Sequence, residues 1–227
     1  MRRKFLAGVV FAVGALGYAA HADADMISIG LQETGVNGGN ITTETSSSAA
    51  ATLGATNYGT FSLNQATAQD TAGIGLPVLL NSNSLNTSTS TAGVLHVFVT
   101  AQGLTSPIGL SSLISSFAVN DLEGSISSVT EQTFYDAGNG LYTTTTPLSS
   151  ATFAAIGTAS PAGVAETLAA PFSVTEEYTI TAIGGGTGNA NVTIDLKDAV
   201  PEPATLTILA SGLLGFGWLG RRRSKTA

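Results

Sequence analysis

Two neighbouring segments late in the chain alternate apolar and polar residues at a period of two, and they limit the fold more than any other feature. Asn191 to Lys197 sets Val192, Ile194 and Leu196 on one face and Asn191, Thr193, Asp195 and Lys197 on the other. Phe172 to Ile183 turns Phe172, Val174, Tyr178, Ile180 and Ala182 the same way. That period belongs to a half-buried β-strand, whose successive side chains point to opposite faces of a sheet. Glu176 interrupts the second apolar face and predicts a bulge or a strand end near it. The intervening Gly184-Gly185-Gly186-Thr187-Gly188-Asn189 reads as a flexible hairpin loop.

Other segments follow the same grammar. Val94 to Thr100 is apolar on both faces, as a central strand should be. Gly124 to Tyr135 and Leu141 to Thr146 flank Asp136-Ala137-Gly138-Asn139-Gly140, a second hairpin signal. Met26 to Leu31, Tyr58 to Leu63 and Leu76 to Leu80 are shorter strand candidates. Asn37 to Ala55 and Asn81 to Thr91 are rich in Thr, Ser and Asn and read as loops or solvent-facing edges. Ala162 to Ala170 is the best place for a short helical turn. Many short strands divided by Gly, Asn and Pro predict an all-β fold, a single antiparallel β-sandwich or jelly-roll-like domain.

This domain, 23–200, is bracketed by two segments of different physics. Met1-Arg2-Arg3-Lys4 is cationic, Phe5 to Tyr18 is apolar, and Ala20-His21-Ala22 offers small residues to signal peptidase. Residues 1–22 thus form a signal peptide for the Sec translocon, with Ala20 and Ala22 at the cleavage site. A slip to Ala22-Asp23-Ala24 is the nearby alternative, and Arg2-Arg3-Lys4-Phe5-Leu6 also looks like a twin-arginine signal. At the other end Pro201 and Pro203 remove two backbone donors and stiffen an exposed spacer. Ala204 to Leu219 is then free of charge, and Gly220 precedes Arg221-Arg222-Arg223. Sixteen residues rise roughly 24 Å as a helix, short of a hydrocarbon core of about 30 Å. Arg221, Arg222 and Arg223 act as a stop that stays cytoplasmic, leaving everything upstream outside.

Val200-Pro201-Glu202-Pro203, the transmembrane helix 204–219 and the basic tail 221–227, in that order, resemble the PEP-CTERM sorting signal of Gram-negative bacteria. The resemblance covers about residues 200–227. It implies an exosortase as partner, a membrane protease-transferase that cuts near Pro-Glu-Pro and passes the cargo from the inner membrane to the envelope, the surface or the extracellular matrix. It also implies a setting of exopolysaccharide production. Such a signal is a handle on the cargo and not an activity.

Composition narrows what the cargo can do. Residues 23–200 hold fourteen acidic residues against one lysine, Lys197, a formal charge of −13. With no basic patch to neutralise phosphates, nucleic acid is not an expected partner. The chain has no cysteine, which removes disulfides and thiolate metal chemistry, and His96 is the only histidine after residue 22. No cofactor is expected.

The candidate catalytic side chains are few, and none forms a recognisable motif. His96 shares a strand face with Val94 and Phe98 and reads as a packed structural histidine rather than a base. No Gly-x-Ser-x-Gly elbow supports a serine nucleophile. Asp121 and Glu123 read as a solvated loop, and Glu176 and Glu177 point to opposite faces. Asp23/Asp25 and Asp195/Asp198 spell no calcium loop. Thr87, Thr89 and Thr91 at period two and Thr143 to Thr146 hint at an ice-binding array but are too short to make one. The expectation is therefore a non-enzymatic surface or matrix protein with a structural, adhesive or biofilm role. The alternative is a β-sandwich module for polysaccharide, using Tyr58, Tyr135, Tyr142 and Tyr178 as stacking faces. A secreted hydrolase ranks third.

Overall fold

The structure, a computed structural model, describes residues 26–70 and 77–199. Ala20, Ala22, Val200, Pro201, Glu202, Pro203, the 204–219 run and Arg221 to Arg223 lie outside the described residues. The described chain is almost entirely strand. In order these are β1 (Met26–Glu33), β2 (Thr42–Ser47), β3 (Ala50–Leu53), β4 (Thr56–Tyr58), β5 (Phe61–Asp70), β6 (Val78–Thr89) and β7 (Ala92–Leu104). They continue with β8 (Gly109–Glu123), β9 (Ile126–Asp136), β10 (Thr146–Phe153), β11 (Gly157–Ala159), β12 (Val164–Leu168), β13 (Phe172–Ile183) and β14 (Gly188–Asp198).

Two antiparallel sheets face each other. The front sheet runs β10-β9-β13-β7-β1-β2, and the back sheet β11-β8-β14-β6-β5-β3, with β12 also on β8 and β4 on β5. The expected β-sandwich is what forms. Its single core lies between the layers, where Ile27, Ile29, Leu95, Val97, Tyr178 and Ile180 of the front meet Phe61, Leu80, Phe117, Val192, Ile194 and Leu196 of the back. Each such aliphatic side chain, fully buried, contributes about 1.5–3 kcal/mol.

The apolar residues expected to face inward are buried in both strands; β14 alternates residue by residue, whereas β13 alternates only from Tyr178 onward, because Phe172 to Glu177 are covered on both faces. Several other expectations are corrected. Gly184 to Thr187 does not close a hairpin: β13 and β14 belong to different sheets, so the loop crosses between layers. A matching crossing follows β8, where Gly124 at φ +65° stands so close to the Thr187 carbonyl that an added Cβ would sit 2.0 Å from it. Glu176 marks no bulge or strand end. It pairs regularly with Val99 and Thr133 inside β13, while the register shift lies between Phe172 and Val174.

Ala162 to Ala170 is not helical. It contains β12, an edge strand pairing Val164 to Leu168 with Leu113 to Gly109. Leu141 to Thr145 belongs to a loop rather than a strand, and Tyr58 to Leu63 spans the turn between β4 and β5. Asn81 to Thr89 is no edge: it lies in β6, flanked on both sides by β14 and β5.

Candidate functional site

The outer surface of the front sheet carries one cluster of chemically capable side chains. β7 sends Leu95, Val97 and Val99 into the core and so turns Val94, His96 and Phe98 outward. In register, His96 has Gln32 of β1 on one side and Thr179 of β13 on the other, while Glu177 stands opposite Phe98. His96 Nδ1 lies 2.9 Å from Glu177 Oε1 and 3.2 Å from Thr179 Oγ1. Its ring stacks on Phe98 at 6.1 Å, and Phe98 meets Tyr142 at 6.0 Å. The His96 side chain keeps 32% of its surface exposed and Glu177 only 12%.

A hydrolytic triad places the orienting carboxylate on one imidazole nitrogen and the nucleophile on the other. Here Glu177 and Thr179 both meet Nδ1, so this group is not wired as a triad. It is a half-buried polar pair on an aromatic step, and His96 is held by a carboxylate rather than packed in a core.

The step is roofed by the loop between β9 and β10. Asp136 folds that loop through its carboxylate, which accepts from Gly138 N at 3.0 Å and Gly140 N at 2.7 Å. Asn139 Oδ1 accepts from Gly103 N at 2.7 Å, and Ser173 Oγ donates to the Gly140 carbonyl at 2.8 Å. Tyr142 then adopts φ +55°, which side-chain-bearing residues rarely occupy. Its N–H donates to Thr100 Oγ1 at 3.2 Å and its hydroxyl to Thr43 at 3.1 Å, and burial raises the pKa of that hydroxyl. Surrounding contacts thus over-determine an uncommon backbone, the condition under which such conformations persist.

A second polar set is sealed between the sheets. Tyr178 is fully buried, and its hydroxyl accepts from Ile194 N at 2.9 Å and donates to the Ser82 carbonyl at 3.2 Å, with Ser82 Oγ at 2.6 Å. Ser82 Oγ also donates to Glu176. Glu131 is wholly buried, and its carboxylate has no well-formed hydrogen bond among the described residues, only a weak approach to the Ala118 backbone. Burial pushes its pKa up to about 8, opposed by the Ala118 backbone, and raises Glu176 well above the ordinary carboxylate range. These carboxyls have no access to solvent, so the set serves the fold and not a substrate.

The remaining sequence candidates scatter. Asp121 and Glu123 sit at the far end of β8, where Glu123 accepts from Asn189 at 2.8 Å. Asp195 pairs with Lys197, and among the described residues no three acidic or histidine side chains converge on a metal-sized space. Tyr58, Tyr135 and Tyr178 are buried and cannot offer stacking faces, which leaves Tyr142, half-buried, of the four. Thr87 and Thr89 point inward, donating to the Ser62 and Thr60 carbonyls, so no flat threonine array faces solvent there.

The C-terminal exit of the sandwich is firmly tied. Asp198 N donates to the Pro77 carbonyl at 2.9 Å and Ala199 N to the Ser112 carbonyl at 2.7 Å. Residues 199–223 match the model of the PEP-CTERM protein-sorting motif. The chain carries a PEP-CTERM sorting signal. This signal begins on the residue where the described β-sandwich ends, so handle and cargo are contiguous.

No curated protein matches the chain in sequence. Three solved structures are similar in part. The first is TmCBM61 in complex with beta-1,4-galactotriose, at 9% identity over 66% of this chain and 82% of that one, TM-score 0.30. Next is the C-terminal CBM6 of LamC, a marine laminarinase from Zobellia galactanivorans, at 14% over 52% and 79%, TM-score 0.25. The third is the PA14 sugar-binding domain from an RTX adhesin, at 16% over 79% and 91%, TM-score 0.32. At these scores the likenesses carry no inference for this chain.

Proposed function

We propose that this protein is exported, held in the membrane by residues 204–219, and sorted by an exosortase to the cell surface or matrix. There the sandwich serves as a non-enzymatic structural or adhesive domain. The observation that carries the reading is the PEP-CTERM motif at 199–223, starting where β14 is pinned to β8. We read the winding of β6 to β14, with the last two strands inserted between earlier pairs in both sheets, as a jelly roll. The cargo role rests on the outer surface: its one histidine–carboxylate pair lacks the wiring of a hydrolase.

The test is intact mass and location of the protein in its host. A mature species beginning near Asp23 and ending near Pro201, found on the surface or in the medium, supports sorting. Deletion of residues 201–227 should then strand or misdirect the cargo, and an unchanged destination would sink the proposal.

Polysaccharide binding is the second reading, and one feature favours it: the partly exposed His96 ring on Phe98, beside Glu177 and Thr179. A ring face next to a carboxylate acceptor suits a sugar's apolar face and hydroxyls. A glycan array followed by His96→Ala separates the two readings.

A further inference from the structure

Both ends of the described sandwich emerge at one pole. Met26 opens β1 opposite Gln102, near the end of β7, and Asp198 closes β14 opposite Leu113, near the start of β8. The connection from β7 to β8 and the loop from β9 to β10 turn at this same pole. Six large apolar side chains are exposed on the described surface. Met26, Ile108, Leu110 and Leu141 lie at this pole; Ile156 and Ile183 do not. Leu110 is 79% exposed and Ile108 68%, and Leu110 borders a shallow hollow whose other wall is Asp198 and Ala199. Single exposed apolar residues are ordinary on a soluble surface. Four of the six toward the end where the chain leaves for its apolar segment make an uneven distribution.

Charge does not separate the two poles: Lys197, the sandwich's only cation, is here beside Asp195, with Asp70, Asp136, Glu166 and Asp198 at the same end, while Asp121 and Glu123 stand at the other end of β8. Asp198 is partly buried, and that burial raises its pKa. The acids nearest the exposed leucine are Asp198 and Glu166, the latter opposite Ser111 in the β12–β8 ladder; Asp136 is engaged in folding its own loop.

Tether length supplies the partner. Only Val200 to Pro203 separate Ala199 from the uncharged run at Ala204. Four residues reach at most about 14 Å when extended, and one headgroup layer is roughly 5–8 Å deep. The pole therefore cannot stand far from a bilayer that holds residues 204–219.

We propose that this pole rests on the lipid surface while the sorting signal is uncut, with Ile108 and Leu110 in the headgroup layer. The contact fixes the height of Pro201-Glu202-Pro203 at the membrane surface, where a membrane-borne protease can reach it. This rests on the reading that residues 204–219 enter the bilayer, and the two can be tested apart.

The chain has no cysteine and one tryptophan, Trp218, within the apolar run. Protein beginning at Asp23 and retaining its full C-terminus is reconstituted in phosphatidylcholine vesicles bearing nitroxide-labelled acyl chains. A fluorophore is attached through Leu110→Cys, through Leu141→Cys, or through Ile183→Cys at the opposite pole. The expected result is loss of Trp218 emission and of the fluorophores at 110 and 141, with the one at 183 unquenched. Quenched Trp218 with equal emission at all three labels would overturn the surface contact and leave membrane insertion standing. Unquenched Trp218 would overturn insertion and the contact with it.

Discussion

Glu131 stands directly across the β9–β13 ladder from Tyr178, and both side chains face the sealed interlayer space. One is satisfied by three contacts from β6 and β14; the other has no well-formed hydrogen bond among the described residues, only a weak approach to the Ala118 backbone. An ionised carboxylate so weakly partnered in such a place is costly, and protonation is the cheaper state.

A pH dependence follows. Burial pushes the Glu131 carboxyl up to about 8 in the folded chain, against 4.5 for the free side chain. Between those limits the native chain holds a proton that the unfolded chain has released, so stability falls as pH rises from 4.5 to 8 and levels above. One group contributes a slope of about 1.4 kcal/mol per pH unit. Glu176, raised in the same direction, adds to it. Urea midpoints should therefore decline from pH 5 to pH 8. Glu131→Gln should reduce the slope and raise the midpoint at pH 8, with little change at pH 5. An unaltered slope would show that Glu131 is ionised in the native state.

Tyr178→Phe tests the other half of the pair. The register of β14 on β6 shifts between Val192 and Ile194, and there the Ile194 N–H is taken by the Tyr178 hydroxyl across the sandwich. Removing that oxygen leaves the buried Ile194 N–H without its acceptor and the Ser82 carbonyl without this donor, a loss of about 1–3 kcal/mol. Chemical denaturation should show it, and amide exchange at Ile194 should accelerate selectively. Unchanged exchange at Ile194 would mean that another acceptor serves it.

What could be read from residues alone was what local periodicity encodes. β14 alternates cleanly and β13 does so from Tyr178 onward, so their inward apolar faces were legible. β6 was not, because a bulge near Asn83 moves its inward set from Leu80 and Ser82 to Leu85, Thr87 and Thr89. Parity changes mid-strand, and a polar central strand then looks like a loop. β12 was hidden among the alanines around it, Ala162, Ala169 and Ala170, and only its pairing to β8 makes it a strand. Glu131 was legible in principle, since Val129, Glu131, Thr133 and Tyr135 fall on one face at period two. The sorting signal was readable because its stiff, oily and cationic parts follow one another within 28 residues. The His96–Glu177 pair was not, since its partners are 81 residues apart and join only through the β7–β13 register.

Gly30 is the contact through which the roof loop meets β1. A Cβ there would stand 2.6 Å from the Tyr142 ring and 2.7 Å from Ile41 Cγ2. Gly30→Ala should cost about 1–3 kcal/mol through overpacking. In a Tyr142→Ala background much of that cost should vanish, because the clashing ring is gone. A double-mutant cycle by urea unfolding checks this, and strict additivity would place the strain at Ile41 instead.

The His96–Glu177 pair offers the sharpest separation of scaffold from site. Both side chains lie on a sheet surface and His96 remains partly exposed, so solvent weakens their attraction. Pairs of this kind couple by about 0.2–1 kcal/mol. A double-mutant cycle with His96→Ala and Glu177→Gln should fall in that range. A purely structural role for the cargo then requires that His96→Ala leave its retention on the cell surface unchanged, since the sorting motif at 199–223 does not include this face. Should the wild-type protein be retained by a polysaccharide and the variant be released while still folded, the outer surface of the front sheet is a ligand site. The structural reading would then give way to the binding one, with Phe98 as the floor of that site and Tyr142 as its edge.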